Sequence, residues 1–224
     1  MSDSRWEQWG PIAGIVFVVL FVVGLFMNNL PSADDSALKI ANYYNDGGKR
    51  AVIIIGSYLL WLAGLFFFWF IASLRTRLLA VEGAPGRLTS IAFGGGLIFI
   101  GMLFVAAACF ASVAGDITFG SERFASVDGA RYLPELGYPI LVIGGMFAAI
   151  AMIDAASILI LRTNVLPRWI AYFGFFAAVA LLFAGFFIPM LAFVLWVLFV
   201  SVAMMRSGQA TPAPATPAPA PPVP

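Results

Sequence analysis

The chain has 224 residues, of which 62% are apolar and only 10% are charged, and its net charge is +1. A soluble domain carries about 45–50% apolar and about 25% charged residues, so this composition indicates a membrane protein whose solvent is the lipid bilayer. The small charge argues against a nucleic-acid partner, and a chain with no histidine and one cysteine, Cys109, is expected to hold no metal and no cofactor.

Long apolar runs predict the membrane crossings, because a spanning helix needs about 20 apolar residues. The first four crossings are predicted over residues 11–27, 51–74, 88–115 and 136–161. The uncharged stretch 169–205 is too long for one crossing and long enough for two short ones, with Gly185 and Pro189 at the turn. We therefore predict helices over 169–186 and 189–205, and the alternative is a kinked or re-entrant segment. The predicted fold is all-α, a bundle of six transmembrane helices arranged as three hairpins.

The distribution of arginine and lysine predicts the orientation, because these residues favour cytoplasmic loops. With the N-terminus inside, five basic residues fall in the outer segments. Seven fall in the cytoplasmic segments, namely Arg5, Arg75, Arg77, Arg87, Arg162, Arg168 and Arg206. Both termini are therefore expected in the cytoplasm.

Two outer loops carry the pattern of short amphipathic helices. Residues 32–45 begin with a serine cap and acids in the expected first turn, and the pattern stops at Asp46. Its predicted apolar face consists of Ala37, Leu38, Ala41 and Tyr44. Residues 121–132 also start with serine and place Phe124 and Val127 on one side. These helices either connect spans and cover apolar helix ends, or form a binding lid or docking surface.

The C-terminal segment is predicted to be a disordered tail. Residues 207–224 are rich in proline and alanine, carry no charge and have almost no large apolar side chain, so they cannot pack a core. The predicted organisation is a transmembrane domain over residues 1–206 followed by this tail.

Small residues recur at helical spacing on two predicted spans, where they allow close helix packing in lipid. The stripe on the fourth span is Gly144, Ala148, Ala151 and Ala155, and the stripe on the third is Ala107, Ala111 and Gly115.

Asp154 is the one carboxylate within the predicted spans. A charged carboxylate at a helix centre costs on the order of 2.5 kcal/mol or more, so a partner or water is expected beside it. Depth along the spans gives the candidate neighbours Ser157, Ser73, Arg75, Thr89 and Ser90. Asp154 acts as interhelical glue, as a contact with a partner subunit, or in a proton or solute pathway. No second catalytic group is found on any span, so no catalytic residue is assigned and a non-enzymatic protein is expected.

Three segments carry a resemblance to a known family. They are residues 39–78 (KIANYYNDGGKRAVIIIGSYLLWLAGLFFFWFIASLRTRL), residues 166–174 (LPRWIAYFG) and the final Met204-Met205-Arg206. With the chain length, they resemble a group of uncharacterised actinobacterial multi-pass membrane proteins, a domain of unknown function. The resemblance implies six helices and a bacterial plasma-membrane location, and it implies no catalytic residue.

We therefore expect a non-enzymatic accessory or scaffold subunit of a cell-envelope membrane complex. The alternative is a small solute or lipid carrier with Asp154 in an intramembrane cavity. The surroundings of Asp154 distinguish the two, since an outward, lipid-facing position favours a partner. A cavity lined by Asp154, Ser73 and Thr89 favours a carrier.

Overall fold

The computed structural model describes residues 3–32, 34–120, 127–183 and 189–208, and the regular structure in these ranges is helical. In chain order the helices are α1 (Asp3–Met27), α2 (Ala37–Asn45), α3 (Gly47–Glu82), α4 (Arg87–Phe119), α5 (Val127–Glu135), α6 (Gly137–Pro139), a π-helical segment (Ile140–Gly145), α7 (Met146–Thr163), α8 (Arg168–Leu181) and α9 (Met190–Gly208). The predicted all-α class is confirmed.

Among the described residues, five helical stretches are long and apolar enough to cross a membrane. They are Trp9–Met27, Gly47–Glu82, Arg87–Phe119, Asp128–Thr163 and Met190–Ser207. By the composition of these helices the chain is a multi-pass membrane protein. Each of the first four predicted runs lies within one of them, and the run predicted over 189–205 lies almost wholly within the last.

α8 is apolar but shorter than the helix predicted over residues 169–186. Its 14 residues give a length of about 21 Å at about 1.5 Å per residue, against a hydrocarbon core about 30 Å thick. Gly185, placed at the predicted turn, lies outside the described residues. The residues predicted as a disordered tail also lie outside them, except that α9 continues to Gly208.

The long helices and α8 pack in chain order and close into a ring. α1 packs on α3, α3 on α4, α4 on α7, α7 on α8 and α8 on α9, and α9 returns to α1. The ring of Phe21 in α1 meets that of Phe193 in α9 edge-on, whereas Gly14 faces Ser201, so α1 and α9 run antiparallel. The first and last of these helices, α1 and α9, are therefore neighbours in the bundle.

Phenylalanine side chains fill the middle of this ring. Phe17, Phe67, Phe99 and Phe193 come from α1, α3, α4 and α9 and have no exposed surface. The ring centroids of Phe99 and Phe193 are 4.9 Å apart, although α4 and α9 stand on opposite sides of the ring. Tilted and edge-on pairs of this kind are the favoured aromatic geometries. Side chains thus fill the centre of the bundle at the level of Phe99 and Phe193.

A glycine brings the backbones of α4 and α7 together. A Cβ atom at Gly95 would lie 2.6 Å from the carbonyl oxygen of Ala148 and 2.9 Å from the backbone nitrogen of Met152. Gly94 has no such neighbour within 4 Å.

The residues of the two predicted small-residue stripes differ in their burial. Ala107, Ala148 and Ala155 are buried, Ala111, Gly115 and Gly144 are half-buried, and Ala151 is exposed.

Helix α2 forms in the predicted outer loop but begins later than expected. Its cap is Ser36, whose Oγ accepts a hydrogen bond from the backbone N–H of Lys39 at 3.3 Å. The acids Asp34 and Asp35 therefore precede the helix and do not lie in its first turn.

The predicted apolar face of α2 is wrong in part. Ala37, Leu38 and Ala41 are exposed, whereas Ile40 and Tyr44 are buried. The reason is that α2 packs on the start of α3 and the end of α4, where Ile40 and Tyr44 join Ile53 and Val113 in a small apolar cluster. In the second outer loop, α5 begins at Val127, and Phe124 lies outside the described residues.

Candidate functional site

Asp154 lies on the outward side of α7, at the border between the bundle and its lipid-facing surface. The side chain is half-buried. One and two helical turns before it, on the same side, Ala151 and Phe147 are exposed, because residues three and four apart share a helix face. Within the described part of the chain, Asp154 makes no hydrogen bond and no ion pair.

The polar residues predicted around Asp154 have other contacts. Ser73 of α3 lies directly against Gly10 of α1. The guanidinium of Arg75 lies over the ring of Phe93, 5.3 Å from its centroid. None of these contacts involves Asp154.

The remaining predicted neighbours are also engaged elsewhere. The Thr89 hydroxyl donates to the carboxylate of Glu82 at 2.6 Å, and the same carboxylate accepts the backbone N–H of Thr89 at 2.8 Å. The Ser90 hydroxyl donates to the carbonyl oxygen of Gly86 at 2.7 Å. Ser157 is fully buried and faces Gly174 of α8. The carboxylate of Glu82 thus caps the start of α4. The sequence contains a signal for this cap, because an acid stands shortly before the Gly-Arg-Leu-Thr segment that begins the helix.

A small, partly open cavity lies at the edge of the bundle, remote from Asp154 in the fold. Its volume is about 90 Å³, and it lies between the end of α1 and the start of α9. The lining is apolar and consists of Phe21, Val22, Leu25, Phe26, Met190, Leu191 and Val194. No residue of α7 contributes to this lining.

A buried polar junction on the predicted outer side was missed by the sequence reasoning. Asn28 is only 2% exposed, and its side-chain amide donates to the carbonyl of Gly24 at 2.8 Å. The Ser57 hydroxyl donates to Asn28 Oδ1 at 3.1 Å, and the Tyr138 hydroxyl donates to the Asn28 carbonyl oxygen at 3.0 Å. This junction ties the end of α1 to α3 and α6. In the sequence, this asparagine directly follows an apolar run. Such a position ordinarily predicts a residue at the membrane surface, so its burial was not expected.

Tyrosines and Arg50 extend this junction to α2. The Tyr43 hydroxyl donates to the carbonyl of Asn29 at 2.6 Å. Arg50 donates to the carbonyl of Tyr44 at 2.6 Å and to the hydroxyl of Thr118 at 3.2 Å. Burial raises the pKa of Tyr44 and, with help from the charge of Asp46, the pKa of Tyr43. These phenols therefore stay neutral. The Tyr43 hydroxyl is the donor that holds α2 on the bundle, whereas the buried Tyr44 hydroxyl has no hydrogen-bond partner among the described residues.

Among the described residues, no group of three or more His, Cys, Asp or Glu side chains is placed to hold a metal ion. The site that the described residues offer is therefore a single outward carboxylate on α7, with a separate polar junction at the opposite end of the bundle. No family model, curated protein or solved structure matches this chain.

Proposed function

We propose that this protein is a non-enzymatic accessory or scaffold subunit of a cell-envelope membrane complex and that it binds its partner through the α7 face that carries Asp154. The observation that carries the proposal is the position of this carboxylate, half-buried beside the exposed Phe147 and without a hydrogen-bonding group among the described residues. A carboxylate that faces hydrocarbon is costly. A transmembrane helix of another subunit that brings a donor to Asp154 would remove this cost.

The closed centre of the bundle supports an outward-acting role. The phenylalanine cluster occupies the axis at the depth of Phe99 and Phe193. The carrier alternative requires a cavity at Asp154, whereas the apolar cavity near Met190 has a volume of about 90 Å³ and borders other helices. Pockets for small molecules usually have volumes of about 300–1,000 Å³. The carrier is therefore the less supported of the two functions.

Six crossings complete the proposed topology, with the fifth beginning at α8. The support is the direction of the helices. α1 and α3 are antiparallel, since Gly14 faces Phe70 and Asn28 meets Ser57. α3 and α4, and then α4 and α7, are antiparallel in the same way. α7 therefore ends on the side where α1 begins, whereas α9 starts on the opposite side, which supports a further crossing that begins with α8.

The start of α1 and the end of α9 then share one side of the membrane, which the arginine bias assigns to the cytoplasm. Arg77 and Arg206 lie at that end of the bundle, and Arg77 donates to the Ser207 hydroxyl at 2.7 Å. The resemblance to actinobacterial multi-pass proteins makes a bacterial plasma membrane the proposed location.

A site-specific photo-crosslinking experiment in the native cell tests the partner surface. A photoreactive residue replaces Phe147, which is 56% exposed on α7, and in a matched control it replaces Leu65, which is 53% exposed on α3. We expect one discrete adduct at Phe147, identified by mass spectrometry, and none at Leu65. The adduct should weaken several-fold when Asp154 is also changed to leucine. Equal labelling at the two positions, or labelling that ignores Asp154→Leu, would contradict the proposal.

A further inference from the structure

Arg75 is a second charge on the outer surface of the bundle. It lies on α3, within the stretch Gly47–Glu82 that is long and apolar enough to span the membrane. Its side chain is exposed, and its guanidinium lies over the ring of Phe93 of α4, 5.3 Å from the ring centroid. Within the described residues Arg75 makes no ion pair. An arginine inside a membrane is costly unless it meets an opposite charge, so a partner is expected for Arg75 as well as for Asp154.

Arg75 and Asp154 lie at a similar height in the bundle. Gly95 of α4 meets Met152 of α7, and these two helices are antiparallel. Phe93 lies two residues before Gly95 in α4. Asp154 lies two residues after Met152 in α7, so both positions are displaced from the contact towards the same end of the bundle. At about 1.5 Å per residue, Phe93 and Asp154 differ in height by less than about 5 Å. The guanidinium over Phe93 is therefore close to the level of the carboxylate.

The two charges do not meet within one chain. Met152 faces Gly95 of α4. Asp154 follows it by two residues and projects about 200° away around α7, since each residue turns a helix by about 100°. Arg75 lies beyond the other flank of α4, because α4 stands between α3 and α7 in the ring of helices. The carboxylate and the guanidinium therefore lie on two different outward surfaces.

Small exposed residues border both charges. On α7, Ala151 lies one turn before Asp154 and is exposed, and on α3, Ala72 lies one turn before Arg75 and is exposed. On the adjoining α4, Gly94 has no atom within 4 Å of the position that a Cβ atom would occupy. Helices in lipid associate by close approach at small residues. Each of the two surfaces can therefore receive a helix of another molecule.

We propose that the partner bound at Asp154 is a second copy of this chain, which brings its own Arg75 into an ion pair with that carboxylate. This inference rests on the proposed function, because it names the partner of the same α7 face. Copies in one membrane share one orientation, so Arg75 of one copy reaches the depth of Asp154 of the next. The pairing removes the cost of two unpaired charges in lipid at once.

The geometry of the pair makes the contact head-to-tail. It joins the α3–α4 surface of one copy to the α7 surface of the next, so every copy keeps one surface of each kind for a further neighbour. Repetition of such a contact gives a ring or a row of copies, which suits a scaffold. Two copies that met through α7 alone would instead bring two Asp154 carboxylates to one interface.

Photo-crosslinking between two differently tagged copies of the full chain in the same membrane tests the pair. The first copy carries a photoreactive residue at Phe147, two turns before Asp154 on the same side of α7. We expect a dimer that contains both tags, with the adduct mapped by mass spectrometry to α3 or α4 of the second copy. Leu65 remains the matched control. It follows Gly64, which faces Phe104 of α4, and so points about 100° away from that helix.

Charge exchange shows whether Arg75 makes the contact. Arg75→Asp in the second copy should abolish the mixed dimer, and Arg75→Gln should weaken it several-fold. Arg75→Asp in the second copy together with Asp154→Arg in the first should restore the dimer, which also shows that both variants fold. Arg87→Gln is the matched control, because Arg87 is exposed at the start of α4 and its loss should leave the dimer unchanged.

The outcomes separate this inference from the proposed function. A mixed dimer that ignores Arg75→Asp, or that the charge exchange does not restore, would overturn the pairing of the two charges. Adducts of Phe147 with another protein, and none with the second copy, would overturn the inference and leave the proposed function in place. The absence of any adduct would contradict both.

Discussion

The hydroxyl of Tyr138 donates to the backbone carbonyl oxygen of Asn28 at 3.0 Å, across 110 positions of the chain. The side chain of Asn28 bonds the carbonyl of Gly24 and accepts the hydroxyl of Ser57. One buried asparagine thus connects the end of α1 to two other helices. Since the interior of a membrane protein offers no competing water, such a junction fixes how the helix ends align.

Tyr138→Phe should destabilise the protein without changing its fold. The change removes the donor and leaves the Asn28 carbonyl without this bond, which costs about 0.5–1.5 kcal/mol for a typical hydrogen bond. The measurement is the free energy of unfolding in mixed micelles titrated with denaturing detergent. Tyr58→Phe is the matched control, because Tyr58 is 62% exposed and should tolerate the loss of its hydroxyl. Equal effects of the two substitutions would refute the role of the junction.

Gly95→Ala should be far more harmful than Gly94→Ala. At Gly95 the added methyl would lie 2.6 Å from the Ala148 carbonyl oxygen and 2.9 Å from the Met152 nitrogen, so α4 and α7 must separate. Overpacking of this kind costs about 1–3 kcal/mol. At Gly94 the methyl meets no atom within 4 Å, and alanine is the better helix former by up to about 1 kcal/mol. Thermal unfolding of the purified variants measures both effects, and a similar loss at the two positions would contradict the close approach of the helices.

Asp154→Leu should leave the isolated protein as stable as before, or more stable. The carboxylate makes no hydrogen bond or ion pair within the described residues, and leucine is favoured over aspartate in hydrocarbon. Thr89→Val provides the contrast, because Thr89 donates to Glu82 at 2.6 Å and its loss should lower the thermal midpoint. If Asp154→Leu lowers the midpoint as much as Thr89→Val does, Asp154 is interhelical glue within one chain and not a partner contact.

The ion pair at the start of α2 predicts a response to acid. Lys39 Nζ lies 2.7 Å from Asp35, and this hydrogen bond holds the pKa of the Asp35 carboxyl below its ordinary value of 3.8. A lowered folded-state pKa means that the stabilisation is complete above that ordinary value and is lost as the pH falls through the lower pKa of the folded protein. Because Lys39 is exposed and Asp35 is only half-buried, added salt should weaken the pair.

An NMR titration of the Asp35 carboxyl carbon measures this pKa directly. In the Lys39→Gln variant the pKa should rise towards 3.8, and the same rise should follow on adding salt to the unmodified protein. A pKa that does not change in Lys39→Gln would show that Lys39 does not set it.

The sequence predicted the elements better than their contacts. The apolar runs located the first four spans because a bilayer imposes its length and polarity on each segment independently. The buried face of α2 was assigned partly to Leu38, yet Ile40 is the buried residue, because the choice is made by the surface of α3 and α4 beneath the helix. The π-helical segment Ile140–Gly145 was also not predicted, since its residues fit the apolar pattern of an ordinary helix.

The sequence by itself determined that this protein is helical and lies in a membrane, because the cost of exposing backbone and charge to lipid acts residue by residue. Only the tertiary structure decided that the helices close into a ring around Phe99 and Phe193, that Asn28 is buried, and that Ser157 meets Gly174. It also decided that Asp154 lies at the lipid-facing border of α7. These features depend on the rotation of each helix about its axis, which is set by side chains far apart in the chain and leaves no local trace in composition or periodicity.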